Sequence, residues 1–172
     1  MNPREKEIDP EIIFGDIIKG WGTTIPPAKI IEVFFESLKL EPVIYDDSIP
    51  TLEYLKKSGF KIAAMTDVAT GMPDFMHKNY VTPLLPYFDL YVSSLSCGYK
   101  KPNPKGLRDI SEHFGIAPEN MVMIGDTSRD VNAAKNIGCH SILINRSDRT
   151  YKNYVQEFTV TNAMEIWDFV QF

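Results

Sequence analysis

The sequence predicts an α/β protein built on an open, mostly parallel sheet, and three observations carry that expectation. Five short apolar runs, rich in β-branched residues and bounded by turn residues, fall after residue 45. Amphipathic stretches of helical length separate most of them, and strands that alternate with helices close into parallel sheets. Residues 1–40 break the alternation, with two helical patterns in succession and no strand between them. The expected organisation is therefore a partial helical layer over 1–45 and an α/β core over 46–172.

The strands are expected at "FKIAAM" (60–65), "DLYVSS" (89–94), "MVMIG" (121–125), "SILIN" (141–145) and "FTVT" (158–161). Helix patterns fill the intervals. In "SIPTLEYLKKSG" (48–59), Leu52 and Leu55 share one face and Gly59 marks the stop. In "NPKGLRDISEHFG" (103–115), Leu107, Ile110 and Phe114 recur at helical spacing, with Pro104 near the start and Gly115 at the end. "SRDVNAAKNIG" (128–138) ends on Gly138, and "NAMEIWDFVQF" closes the chain as a last helix candidate. Upstream, "DPEIIFGDIIKGWG" and "PPAKIIEVFFESLKL" supply the two leading helices; Ile13, Ile17 and Ile18 give the first its apolar face.

Composition excludes several classes. With 172 residues, 44% hydrophobic and 24% charged, the chain can bury one sizeable core. A net charge of −5, with no Lys/Arg block, argues against nucleic acid as a partner. The two cysteines, Cys97 and Cys139, are too few for a disulfide framework, no apolar run reaches the length of a membrane span, and "MNPREKEIDP" has no signal-peptide core. A soluble, cytoplasmic protein is expected.

Ligands of open α/β sheets bind beyond the carboxyl ends of the strands, where sequence distance disappears. Three polar features fall at such ends: Thr66, the Lys100–Lys101–Pro102 stretch, and Asp126. A hydroxyl, an ammonium and a carboxylate together suit a phosphate group and a divalent cation. Thr66 and nearby backbone N–H groups can donate to phosphate oxygens, and a lysine adds a compact positive charge. Asp126 is a hard oxygen ligand of the kind Mg²⁺ accepts. Asp130, one turn on, can hold metal-bound waters or the lysine. Taken singly, each has a plain structural reading: Asp126 as a turn residue or helix cap, Thr66 as a strand end, Lys101 as a loop lysine. His77, His113 and His140 show no ligand spacing and are read as structural or surface residues.

"KIAAMTD", "YKKPNPKGL" and "MIGDTSRDVNAAKNIG", in this order and at these separations, resemble three successive motifs of the haloacid dehalogenase (HAD) superfamily, whose members are mostly Mg²⁺-dependent phosphatases. The resemblance spans about residues 46–172. It implies a Rossmann-like core in which Thr66 and Lys101 are catalytic. Thr66, Asp67 and Lys101 would bind phosphate, and Asp126 and Asp130 would serve the Mg²⁺ site. Lys101 is preferred over Lys100 because the family places the functional lysine directly before proline. Asp67 stands where the family often has Asn. The leading helices are similar to part of the helical cap of such enzymes, and a small phosphorylated metabolite is the implied substrate.

The family's chemistry also needs a first strand ending in D-x-D, whose first Asp attacks phosphorus. No Asp in these 172 residues is followed two positions later by another. Asp46 and Asp47 are adjacent, and "EIIFGDII" places Gly15 where the nucleophile would stand. The expectation is a chain that starts inside the cap, with its sheet missing the first strand and its phosphatase activity lost or severely impaired. The resemblance puts that strand between those ending at Thr66 and Asp126, so two edges would be left unpaired, and a homodimer is one way to cover the gap. The competing function is a non-catalytic phosphate-binding or assembly module with a vestigial site. A receiver-type phosphorylation switch fits less well, because the order Thr66, Lys101, Asp126 differs from the order such switches need.

Overall fold

Twelve helices and strands lie in the described residues of the computed structural model, 3–147 and 155–169. The first two are helices, α1 (Pro10–Ile18) and α2 (Pro27–Ser37). Asp9 starts α1 by accepting a hydrogen bond from Glu11 N at 2.8 Å, and Pro10 and Pro27 occupy first-turn positions that need no N–H partner. After them come α3 (Ser48–Lys57), β1 (Ala63–Thr66), α4 (Asp74–Tyr80), β2 (Leu90–Ser93) and the single turn α5 (Ser94–Cys97). The remainder is α6 (Lys105–Phe114), β3 (Val122–Gly125), α7 (Ser128–Ile137), β4 (His140–Ile144) and β5 (Phe158–Val160), closed by a 3₁₀ turn over Ala163–Asp168.

All strand pairing is parallel, but it falls into two groups. β1 pairs with β2, setting Ala63 opposite Leu90 and Thr66 opposite Ser93. β3, β4 and β5 form a second, three-stranded group with β4 central. The same apolar layers cover both. On one face Leu55 of α3 and Ile62 pack with Ile142, Val160 and Ile166; on the other Leu107 and Ile110 of α6 pack with Val92, Met123, Ala133 and Ala134. One layer is therefore interrupted between β1 and β3. Burial records the interruption. Ser141, Ile142 and Leu143 of β4, flanked on both sides, are buried, whereas all of β1 and most of β3 are only half-buried.

The leading helices form their own cluster. Phe14, Ile31 and Phe35 pack against Val68 and Met72 of the loop after β1, with Met76 and Tyr80 of α4 alongside. Gly71 makes that contact fit. Its φ is +81°, and a Cβ there would lie 2.8 Å from the Phe14 ring. Farther out the helices present Ile12, Ile17, Val33 and Phe34 to solvent, and the connection between them exposes Trp21.

Three local features depart from expectation. α4 occupies a stretch to which no element was assigned, and α5 begins at Ser94, the last residue of the strand expected over 89–94: both are short, and neither carries an apolar period long enough to register. The closing segment, expected as a helix over 162–172, forms a 3₁₀ turn capped by Asn162, which accepts from Met164 N and Glu165 N; residues 170–172 lie outside the described ones. The chain start also pairs with the lysine loop. Lys6 bridges Tyr99 antiparallel, Glu7 N donates to Gly98 O at 2.9 Å, and Lys100 N donates to Glu5 O at 2.7 Å.

Candidate phosphate and cation site

Three chain segments meet at the carboxyl ends of β1 and β3, and the Lys101 side chain joins them. Its Nζ donates to Met65 O at 3.4 Å, the carbonyl just before Thr66, and to Asp130 Oδ1 at 2.5 Å. The two side chains are 11% and 4% exposed, so this is a buried ion pair. Asp130 is further held by Thr127, whose N–H and Oγ1 donate to Oδ2 at 2.9 and 2.6 Å. Those bonds also cap α7, because Asp130 reaches back to the residue preceding the helix. Burial pushes the Asp130 carboxyl up, but the Lys101 charge and the hydrogen bonds from Lys101 and Thr127 outweigh it and hold the pKa below the usual carboxylate value.

Gly125 is what lets Asp130 lie there. A Cβ at this last residue of β3 would stand 2.4 Å from Asp130 Cβ and Cγ. The strand end can carry no side chain in that direction, and the glycine of "MIGDTSRD" follows from the packing of the aspartate four positions after Asp126.

Asp126 is the opposite case. It is exposed, and among the described residues it has neither a hydrogen bond nor an ion pair. Its two oxygens are free to meet a cation. Of the two roles open to Asp130, holding the lysine is the contact present, with Lys101 on Oδ1 and Thr127 on Oδ2. Among the described residues no group of three or more His, Cys, Asp and Glu side chains forms a metal cage.

Thr66 ends β1 with its Oγ1 3.0 Å from Nε2 of His77 on α4. Asp67 accepts from Lys101 N at 3.0 Å through Oδ1, while Oδ2 faces Arg129 at 3.4 Å without a hydrogen bond of its own. The negative charge that Asp67 brings near the site thus has a guanidinium and a backbone N–H against it. The neighbouring Lys100 is committed elsewhere: its Nζ donates to Thr70 Oγ1 at 2.9 Å and pairs with Glu7 at 3.4 Å. His77, Arg129 and Thr127 were not anticipated. Thr127 was legible as the cap of a "T-x-x-D" start; His77 left only its place three residues after Asp74 in a short, weakly periodic stretch.

A lysine, a threonine and a free carboxylate thus lie at the carboxyl ends of the parallel strands of an interrupted α/β sheet, the edge at which ligands of such sheets bind. Comparison with known proteins gives the family. The profile described as haloacid dehalogenase-like hydrolase matches residues 14–138, and the chain belongs to that family. A phosphoglycolate phosphatase of Aquifex aeolicus is 30% identical over 141 residues, which cover 79% of this chain and 65% of that protein. One of Nitrosococcus oceani is 36% identical over 90 residues, covering 49% of this chain and 36% of its own length. The crystal structure of a HAD phosphatase from Thermococcus onnurineus superposes with a TM-score of 0.65 at 30% identity, covering 74% of this chain and 58% of that one. The chain thus spans less than two thirds of the length of these relatives.

Proposed function

We propose that these residues carry the phosphate- and cation-binding part of a Mg²⁺-dependent phosphomonoesterase acting on a small phosphorylated metabolite. The observation that carries the reading is the Lys101 ammonium, bonded at once beside Thr66 and to Asp130, so that motifs 29 and 36 residues distant in sequence share one charge. Thr66 and Lys101 would contact the phosphoryl oxygens. Asp67, engaged by Lys101 N and Arg129, would act by fixing the lysine loop, since a carboxylate repels a phosphate. Asp126 suits a magnesium ion that keeps water and phosphate oxygens for most of its octahedron, and Asp130 would support it by holding Lys101. When bound, such an ion would neutralise developing charge on phosphorus-bound oxygens. The leading helices over 1–45 would act as part of the cap.

These 172 residues contain no D-x-D pair, so binding by this chain alone should exceed its catalysis. The half-buried free edges of β1 and β3 supply the reason to expect either another strand or a second copy there. The test is titration of the chain with inorganic phosphate in Mg²⁺, beside an assay with 2-phosphoglycolate, the substrate class suggested by the names of the relatives. Phosphate binding that weakens about tenfold in Lys101→Met, with turnover near background, is expected. Turnover at ordinary enzyme rates that Asp126→Ala abolishes would overturn the impaired-activity part. Phosphate binding indifferent to Lys101 and Thr66 would leave the competing assembly role, which a dimer in sedimentation would then support.

A further inference from the structure

We infer that His77 is a positioning residue for phosphate recognition: its Nε2–H donates to Thr66 Oγ1, which reserves the only hydroxyl proton of Thr66 for a phosphate oxygen. This rests on the phosphate-site reading above and deepens it. A threonine hydroxyl has one proton and two lone pairs. At 3.0 Å from Nε2, Oγ1 either accepts from the ring or donates to it. Donation would spend the proton on His77 and turn lone pairs toward an arriving anion, which repels them. Acceptance turns the proton outward, along the strand end where Lys101 is already bound at Met65 O. Only one of the two tautomers of neutral His77 therefore makes Thr66 a phosphate donor.

Packing holds the ring at this place. Met76, the residue before His77, and Tyr80, one turn later, lie against the cluster of Phe14, Ile31, Phe35, Val68 and Met72. The helices of residues 10–37 thus set the position of a side chain that touches the site. The surroundings of α4 are polar on the other side. Asp74 precedes His77 by one turn, and its carboxylate lies beside the Tyr91 hydroxyl, whose pKa burial and Asp74 push up to about 12. Lys78 Nζ stands 5.0 Å from the centroid of the Tyr91 ring. Burial, with Asp74 opposing, lowers the His77 pKa, so at neutral pH the ring is neutral and its tautomer is a real choice.

Nitrogen NMR of the imidazole rings in the unmodified 172-residue chain, recorded with and without inorganic phosphate and Mg²⁺, reads that choice directly. The expected result is an Nε2–H ring at His77 in the phosphate-bound state. His77→Phe keeps an aromatic ring but removes the donor, and should weaken phosphate binding about fivefold; His77→Gln, which retains an N–H, should recover most of the loss. An Nδ1–H tautomer with phosphate bound, or equal phosphate affinity in His77→Phe, overturns the inference alone. Absence of phosphate binding in the unmodified chain, or binding indifferent to Thr66→Val, overturns the site reading and this inference with it. The tautomer measurement needs no variant, so a His77→Phe chain that failed to fold would not shield the proposal.

Discussion

Asp126 and Asp130 leave the same strand end one turn apart, and they have opposite fates. Asp130 is 3% exposed, bonded to Lys101 and twice to Thr127, and packed against the bare backbone of Gly125. Asp126 is exposed and bonded to nothing among the described residues. Two identical carboxyl groups thus divide the work of one turn. The inner carboxylate assembles the site by anchoring the lysine and starting α7; the outer one is left with its valence for a ligand. Such a division has an energetic signature, because a saturated buried charge is costly to remove and an unpaired exposed one is not.

The largest effect should therefore come from Asp130→Ala, which strands a buried ammonium and removes a helix cap. A loss of about 3–5 kcal/mol of unfolding free energy is expected in urea titrations. Removing both charges, as Asp130→Ala with Lys101→Met, should cost less than Asp130→Ala alone, since no buried charge is then left unpaired. If the double variant is the less stable of the two, the pair is not the element that holds this edge together. Gly125→Ala should come next, at about 1–3 kcal/mol, because its methyl group would have to displace Asp130 from the strand end. Asp130→Ala should make Gly125→Ala nearly harmless. If the glycine substitution stays costly in that background, something other than Asp130 fills the space.

Acidification probes the same contrast in steps. The Asp130 pKa is held below the unfolded carboxylate value, so its stabilisation is complete above about pH 4 and disappears as the pH falls through the depressed value. Asp47, held low by Arg146, shares in that loss. His77 is also lowered, by burial, and contributes in a higher window: stability is kept above about pH 6.5 and declines as the pH falls toward its folded value. Unfolding free energy measured from pH 8 to 3 should show both declines. His77→Gln should flatten the first and Asp130→Asn should reduce the second. Asp126→Asn should alter neither; a clear change in the acid step with that variant would mean Asp126 is engaged after all.

Much of this was legible in the sequence, for reasons that differ by element. The runs at 121–125 and 141–145 gave β3 and β4 to within a residue, because apolar runs between turn residues are a local signal. The convergence of Thr66, Lys101 and the "GDTSRD" turn followed from parallel topology, which gathers strand ends whatever their separation. Short helices were not legible. α4 is 7 residues long, and its apolar contacts, Met76 and Tyr80 one turn apart, make too short a stripe to register as a period. Losing α4 meant losing His77, whose relation to Thr66 exists only through the packing of Met76 and Tyr80 on the leading helices. The engagement of Asp130 was half legible: the lysine was one of two roles open to it, and the 2.5 Å contact shows that one present.

The smallest effect on stability is the most informative about function. Asp126→Asn removes a charge that no other described side chain contacts, so unfolding free energy should change by less than about 0.5 kcal/mol. Ligand binding should respond differently. If Asp126 gives its oxygens to Mg²⁺, and the ion in turn bridges to phosphate, the unmodified chain should bind inorganic phosphate more tightly with Mg²⁺ than without. Asp126→Asn should erase that difference while leaving the metal-free affinity, which depends on Thr66 and Lys101, unchanged. The same titration on Lys101→Met should show the reverse, a weakened metal-free affinity with some Mg²⁺ enhancement retained. A Mg²⁺ enhancement that survives Asp126→Asn would place the cation elsewhere, and the exposed carboxylate would then be an ordinary turn residue beside a phosphate site built by its neighbours.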